Sequence, residues 1–413
     1  MPSPVVLITF AGRKRQMTIL EHYVRKAMEA GFIDEWHIWD FTRQESDTIW
    51  LADHFKPVAF ISAETGYQAY GQFDLAQSFE LTAKSLNNFH IAICPQNESD
   101  YFYEIVIGGW MNTQTSLRRV KKNTFSVIHR AEEDFETIWG TLTPGIAAPG
   151  VFQKYKFLMI GENLHFSIGD HVFFNIEKLN ITGPCDIFVR GGYGGWVELK
   201  SDAPVRRYAG VPTETAPYFR AYSYYAQNYE QYKDTLFLKC DDDIVYMDYK
   251  KLGGFIEFRR NNPHYFLVSA NVVNNGLCAY LQQESGYLPN SVGDFELPVN
   301  GFHGTLWESG EKAVKLHEYF LSNNLKTMHF RQPIIRWDYY VSINFVSWLG
   351  HDLKYMFLPS CDDEKVLSVD IPGYTQRSHA FYSDFTVSHL SFYQQTVGAD
   401  FDPILDKYEA LIR

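Results

Sequence analysis

The chain has 413 residues, 46% of them apolar and 21% charged, with 27 Tyr, 32 Phe and 9 Trp. This is a globular composition rich in flat aromatic surface, and the length favours two or three domains of ~150 residues each. A formal charge of −12 excludes an electrostatic grip on nucleic acid or acidic lipid, so an anionic ligand must be held by a local site.

Residues 5–10 read as a buried strand, Gly12 permits a tight turn, and 17–30 carry apolar residues at helical spacing (Leu20, Tyr23, Val24, Ala27) up to Gly31. Residues 35–39 then resume as a strand. Strand, helix and parallel strand within ~40 residues open a Rossmann-like sheet, whose ligands sit beyond the carboxyl ends of the strands. Around residue 57 the texture changes to short alternating runs: Phe79, Leu81 and Ala83; Tyr103, Ile105 and Ile107; Leu164, Phe166 and Ile168; Val172, Phe174 and Ile176; Ile187 and Val189. That is the pattern of an antiparallel sandwich, with a loop marked by Pro144, Gly145, Pro149 and Gly150. After about Pro204 a mixed texture returns, with an aromatic helix over 218–232, strands at 236–240 and 266–270, and helices over 310–323 and 337–348. The expected fold is α/β: a Rossmann-like mixed sheet flanked by helices, built from 1–56 and 204–413, with an antiparallel β-sandwich domain inserted at 57–203.

The apolar run Leu236 to Cys240 ends abruptly in Asp241, Asp242 and Asp243. Alternation along a strand predicts Asp241 and Asp243 on one side with Asp242 opposed. Two carboxylates presented together, with Lys239 beside them, supply oxygen ligands for a hard divalent cation on a diphosphate and some extra positive charge. The same run also reads as a solvated acidic turn between two buried strands.

Cys94, Cys185, Cys240, Cys278 and Cys361 are scattered, odd in number and without metal-ligand spacing, which fits buried thiols in a reducing compartment and implies no zinc. The N-terminus has neither the length nor the cleavage site of a secretory signal, and no window approaches the ~20 apolar residues of a membrane span. The expectation is a cytoplasmic protein, free or peripheral at the inner face of the membrane.

Four segments in order, Thr-Phe-Ala-Gly-Arg (9–13), Ile-Trp-Asp-Phe-Thr (38–42) with Asp47, the acidic strand (238–248) and Ser-Ala-Asn-Val-Val-Asn-Asn (269–275), resemble a nucleotide-sugar glycosyltransferase of the GT-A type. The resemblance implies a GT-A sheet, Mn2+ or Mg2+ as cofactor, and a nucleotide-sugar donor, most plausibly a UDP-sugar. It implies nucleotide contacts from Thr9, Ala11, Gly12, Arg13, Asp47, Lys239, Asp241 and Asp242, with Asp241 on the ribose or the metal, and metal ligation by Asp243. Enzymes of this type often complete the metal shell with a histidine near the C-terminus; of His379 and His389, the second is favoured because it follows a long loop on an apolar stretch. Its alternative is a satisfied core histidine.

An inverting transfer needs a base near the acceptor hydroxyl, and Asp338, between an apolar strand and a predicted helix start, is the candidate; its alternative is a helix cap. Asp294, Glu308, Asp362 and Asp363 come after it. Asn271, Asn274 and Asn275 offer amides to sugar hydroxyls or shape a turn. His303 and Trp307 offer an acceptor platform, with core packing as the alternative for Trp307.

Segments 104–119 and 187–196 resemble the farnesoic acid O-methyltransferase (FAMeT) domain, a β-sandwich module. No glycine-rich loop for S-adenosylmethionine follows a strand there, so the residues do not support methyl transfer. The module is expected to bind glycan or to hold subunits together as a homo-oligomer. The leading expectation is a metal-dependent transferase moving a sugar from a nucleotide donor to a glycan acceptor in bacterial surface polysaccharide synthesis. The alternatives are an inactive glycan-binding scaffold and, third, a metal hydrolase.

Overall fold

The computed structural model describes residues 3–413 except 57, 63–64, 75–77, 128, 148–149, 170, 177–178, 180, 182, 210–217, 302 and 358–361; Cys361 and Pro149 therefore lie outside the described residues, as do the side chains of Val172 and Phe174. The chain divides into two compact units, Met1–Asp47 with Pro212–Arg413, and Thr48–Val211. The second unit runs past the sequence boundary at 203 because strand Val205–Ala209 pairs in parallel with Val58–Ser62.

In the first unit the sheet order is Glu35–Asp40, Val5–Ala11, Leu236–Asp241, Phe345–Leu349, Val268–Val273, His379–His389, Ile244–Met247, with Ile334–Trp337 also on His379–His389. Val5–Ala11 is parallel to both its neighbours and buried along its whole length, which explains its unbroken apolar run. Helix Lys14–Glu29 covers the sheet with Met17, Leu20, Tyr23, Val24 and Ala27. The aromatic helix is two helices, Phe219–Gln227 and Tyr229–Tyr232, broken at Asn228.

The helix expected over 337–348 is instead the end of one strand, Ile334–Trp337, and the whole run-up to another, Phe345–Leu349. The latter lies between two antiparallel neighbours, Leu236–Asp241 and Val268–Val273. Burial on both faces removes the alternation that would have distinguished it from a buried helix.

The second unit is a β-sandwich. One sheet runs His171–Ile176, Asn163–Ile168, Gln153–Ile160, Phe79–Ser85, Trp196–Leu199, Val58–Ser62, Val205–Ala209; the other runs Gln68–Asp74, Pro184–Gly191, Phe89–Pro95, Tyr101–Gly108, Gln114–Lys121, Phe135–Leu142. Phe79, Leu81, Ile105, Ile107, Leu164, Phe166, Ile187 and Val189 all point into the core between the sheets, as the period-two pattern predicts. On the other face of the second sheet, Glu104 is buried among Tyr67, His90, Arg130 and Arg190. Among the described residues no helix is long and apolar enough to cross a membrane, and Cys94, Cys185, Cys240 and Cys278 are buried free thiols.

Candidate active site

Three strand registers in the first unit assemble one acidic cavity. Parallel pairing sets Phe10 beside Asp241, so the turn that follows the first strand meets the residues that follow the acidic strand. Gly12 N–H donates to Asp242 Oδ2 at 2.9 Å, and a Cβ at Gly12 would stand 3.3 Å from that same oxygen. Antiparallel pairing of Cys240 with Phe345 places Asn344 opposite Asp241; Asp241 N–H donates to Asn344 O at 2.9 Å and Asn344 Nδ2 to Asp241 Oδ2 at 3.1 Å. Antiparallel pairing of Ile244 with His389 sets His389 next to Asp243, and Leu390 N–H donates to Asp243 O at 2.9 Å.

The resulting cavity, about 310 Å³, is lined by Arg13, Lys239, all three aspartates, Asp363, Glu364 and His389, with Phe10, Tyr218, Phe392 and Tyr393 as its aromatic wall. Strand alternation stops at Asp241 because Asp242 and Asp243 form a turn, so Asp242 is not opposed to its neighbours. The Arg13 guanidinium bridges it to Asp243, with Nη2 at 2.5 Å from Asp242 Oδ1 and 3.0 Å from Asp243 Oδ2. Lys239, buried, donates to Asp241 Oδ1 and to Ile343 O.

Five carboxyl groups thus face two permanent cations. Burial raises Asp242 above the ordinary carboxylate range despite Arg13. Burial acts the same way on Asp243, but His389 and Arg13 outweigh it and hold that carboxyl below the ordinary range. His389 is raised in turn: burial lowers it, and the Asp243 carboxylate more than compensates. Burial pushes Asp363 up to about 6 and Glu364 up to about 7, with Lys239 opposing in both.

Asp241, Asp243 and His389 each offer a ligand atom, and the three atoms lie within 4.8 Å of one another. Asp243 Oδ1 is buried with His389 Nε2 at 3.3 Å as its ion-pair partner, and among the described residues His389 Nδ1 is buried with no hydrogen-bond partner. A buried polar atom such as this nitrogen costs about 1–3 kcal/mol when nothing satisfies it. Two carboxylates and an imidazole are a donor set that a first-row dication such as Mn2+ accepts, and a dication would add positive charge beside the Asp243 carboxylate. The residues fit such an ion.

Several other expected residues are placed elsewhere. Thr9 is fully buried and accepts a hydrogen bond from Trp36 Nε1 at 2.9 Å; Ala11 is buried at the strand end. Asp47 receives Lys14 N–H at 3.1 Å at the start of helix Lys14–Glu29 and lines a different cavity, of about 670 Å³. Asn271 uses its amide on Met328 O, Ser383 O and Gln282. Asn274 exchanges hydrogen bonds with Gln395 and donates to Leu390 O, and Asn275 caps the helix that follows it. Asn274 therefore holds the chain around Leu390 and Gln395, the stretch that carries Phe392 and Tyr393 into the cavity.

Asp338 is more than half exposed, pairs with Arg336 at 3.5 Å, and lines a third cavity together with His303; neither lines the acidic one. Trp307 packs edge-on against His303, ring centroids 4.7 Å apart. Glu364, absent from the residues expected on sequence grounds, enters the acidic cavity because Asp362 caps the helical turn it begins, accepting from Lys365 N–H at 2.9 Å. Its Oε1 accepts from Ile343 N–H at 3.3 Å.

Comparison with known proteins bears on the second unit. Residues 56–157 match the family model described as Farnesoic acid 0-methyl transferase; of the two segments in which the likeness is read, the match takes in 104–119 and stops short of 187–196. Solved structures similar to part of the chain include Dario rerio galectin-1-L2, at 8% identity over 35% of this chain and 97% of that one with a TM-score of 0.24. The carbohydrate binding module CBM66 from Bacillus subtilis is 5% identical over 35% of this chain and 94% of that one, TM-score 0.25. A glycoside hydrolase family 16 endo-glucanase from Bacteroides ovatus is 13% identical over 32% and 71%, TM-score 0.22. No curated protein matches the chain.

Proposed function

We propose that the chain is a metal-dependent glycosyltransferase of the GT-A type that moves a sugar from a nucleotide donor, a UDP-sugar, to a carbohydrate acceptor. The observation that carries this reading is the convergence of Asp241, Asp243 and His389 ligand atoms within 4.8 Å, in a cavity that Arg13 and Lys239 also line. The cavity stands at the carboxyl ends of the parallel strands Val5–Ala11 and Leu236–Asp241, where open α/β sheets place their ligands.

In this reading Asp241, Asp243 and His389 hold Mn2+ or Mg2+, which when bound neutralises the charge growing on the departing nucleoside diphosphate. Arg13, half exposed at the cavity lip, meets the diphosphate, and Asp242 fixes the guanidinium by accepting from both Nε and Nη2. Lys239 and Asn344 hold Asp241 in place from either oxygen. Glu364 takes the proton of the acceptor hydroxyl. The hydroxyl oxygen bonds to the anomeric carbon while the bond from that carbon to the phosphate oxygen breaks, its electron pair leaving with the diphosphate. A carboxyl raised to about 7 is matched to accept a proton near neutral pH.

The test is nucleotide release from a panel of nucleotide sugars with Mn2+ and mixed glycan acceptors. Metal-dependent release that Asp243→Ala abolishes supports the reading. No release from any donor, or release indifferent to Asp243→Ala, rejects it in favour of the scaffold.

A further inference from the structure

The first unit holds a larger cavity than the acidic one. A cleft of about 880 Å³ is lined by His303, Arg336, Asp338, Tyr339, Tyr340 and Gln376, among others, and its volume is within the range of small-molecule sites. Its electrostatics are close to neutral. Arg336 is paired with Asp338 at 3.5 Å and its Nε donates to Ser378 Oγ at 2.9 Å. The other cation, Arg377, is engaged by Asp352 and by the carbonyls of Pro263 and Tyr265. A phosphate would find no unengaged positive charge among these groups. Tyr339 is 56% exposed and braced edge-on by Trp337 at 5.4 Å. An aromatic ring held at the surface beside a fixed Arg–Asp pair suits a neutral, hydroxyl-rich ring: the apolar face of a sugar stacks on the tyrosine while its hydroxyls meet both donors and acceptors.

The cleft is joined to the acidic cavity by two segments that line both. Tyr340 faces the cleft, whereas Ile343 and Asn344, three and four residues on, line the acidic cavity. Glu364 lines the acidic cavity, and the π-helical turn Val366–Asp370 that follows turns Ser368 and Val369 to the cleft. Such turns recur at functional sites. Burial and the nearby Glu364 and Asp362 carboxylates hold the Tyr340 hydroxyl above its ordinary range, so this side chain lies between the cleft and the residue proposed to receive the acceptor proton.

We infer that this cleft is the acceptor subsite, taking a neutral saccharide stacked on Tyr339 and directing its attacking hydroxyl toward Glu364 past Tyr340. The inference rests on the transferase reading for the word acceptor, but saccharide binding is measurable without turnover. Saturation-transfer NMR on the full chain with a panel of methyl hexosides and N-acetylhexosaminides, without metal or nucleotide, is the experiment. At least one glycoside should bind. Tyr339→Ala should weaken it at least five-fold, and Tyr339→Phe should retain it. Binding of UDP with Mn2+ is followed in parallel by calorimetry. No glycoside binding, or binding undiminished in Tyr339→Ala, overturns the subsite even if UDP binds. Saccharide binding lost in Tyr339→Ala with no UDP binding keeps the saccharide site and removes the transferase reading instead.

Discussion

Replacing Glu364 by Gln should stabilise the protein above neutral pH and leave it unchanged in mild acid. The ordinary value of the carboxyl is 4.5 and burial lifts it to about 7 in the fold. Below 4.5 both folded and unfolded chains carry the proton and the residue contributes nothing. Between 4.5 and 7 the unfolded chain ionises first, so native stability falls as pH rises; above 7 the full cost of the buried charge is present. The interval of roughly 2.5 pH units, at about 1.4 kcal/mol each, is about 3.5 kcal/mol. Gln keeps the shape and the neutral form, so at pH 8 the variant should exceed wild type by about that amount, a rise of roughly 6 °C in melting temperature for a unit of this size. Differential scanning calorimetry at pH 5 and pH 8 in EDTA reads it out, EDTA keeping a bound cation from lowering the carboxyl. The same variant should lose glycosyl transfer while still binding UDP. A stability difference equal at the two pH values refutes the argument, because Glu364 would then titrate as it does in water.

Three further outcomes follow from the geometry. Mn2+ titrated into the metal-free protein and followed by electron paramagnetic resonance should bind to wild type, not to Asp243→Ala, and at least ten-fold more weakly to His389→Ala; equal affinity across the three removes the ligand set. Glu104→Gln should destabilise the sandwich unit by about 3–5 kcal/mol, measured by urea unfolding, because it leaves Arg130 and Arg190 buried without their counter-charge. Met111→Gly should stabilise by about 1 kcal/mol, measured the same way, since Met111 sits at φ 56 and ψ 47, 87% exposed, between Trp110 and Asn112, also left-handed.

The sandwich was legible because a sheet with one face in a core forces a period of two, and Ile105, Ile107, Ile187 and Val189 obey it. The acidic strand was legible for a different reason. A mainly apolar run, Leu236 to Cys240, ending in three carboxylates leaves few places for the charge except a strand end. His389 could be named as a candidate from its place in the chain, but only its pairing opposite Ile244 brings it to Asp243. Glu364 was out of reach for the same reason: nothing local separates it from Asp362, which merely caps a helical turn. The three asparagines misled because an amide after a buried strand reads as a ligand for sugars, whereas here carbonyls such as Met328 O and Leu390 O take up the donors first.

The family match lies in residues 56–157, and every residue of the acidic cavity belongs to the other unit. The name attached to the matched module therefore says nothing about the chemistry of those carboxylates. In the proposed reading, a dication held by Asp241, Asp243 and His389 would let this acid-rich cavity take a diphosphate between that charge and Arg13. A nucleoside diphosphate that binds only in the presence of metal is the behaviour this charge balance requires, and UDP binding that is equally tight in EDTA would contradict it.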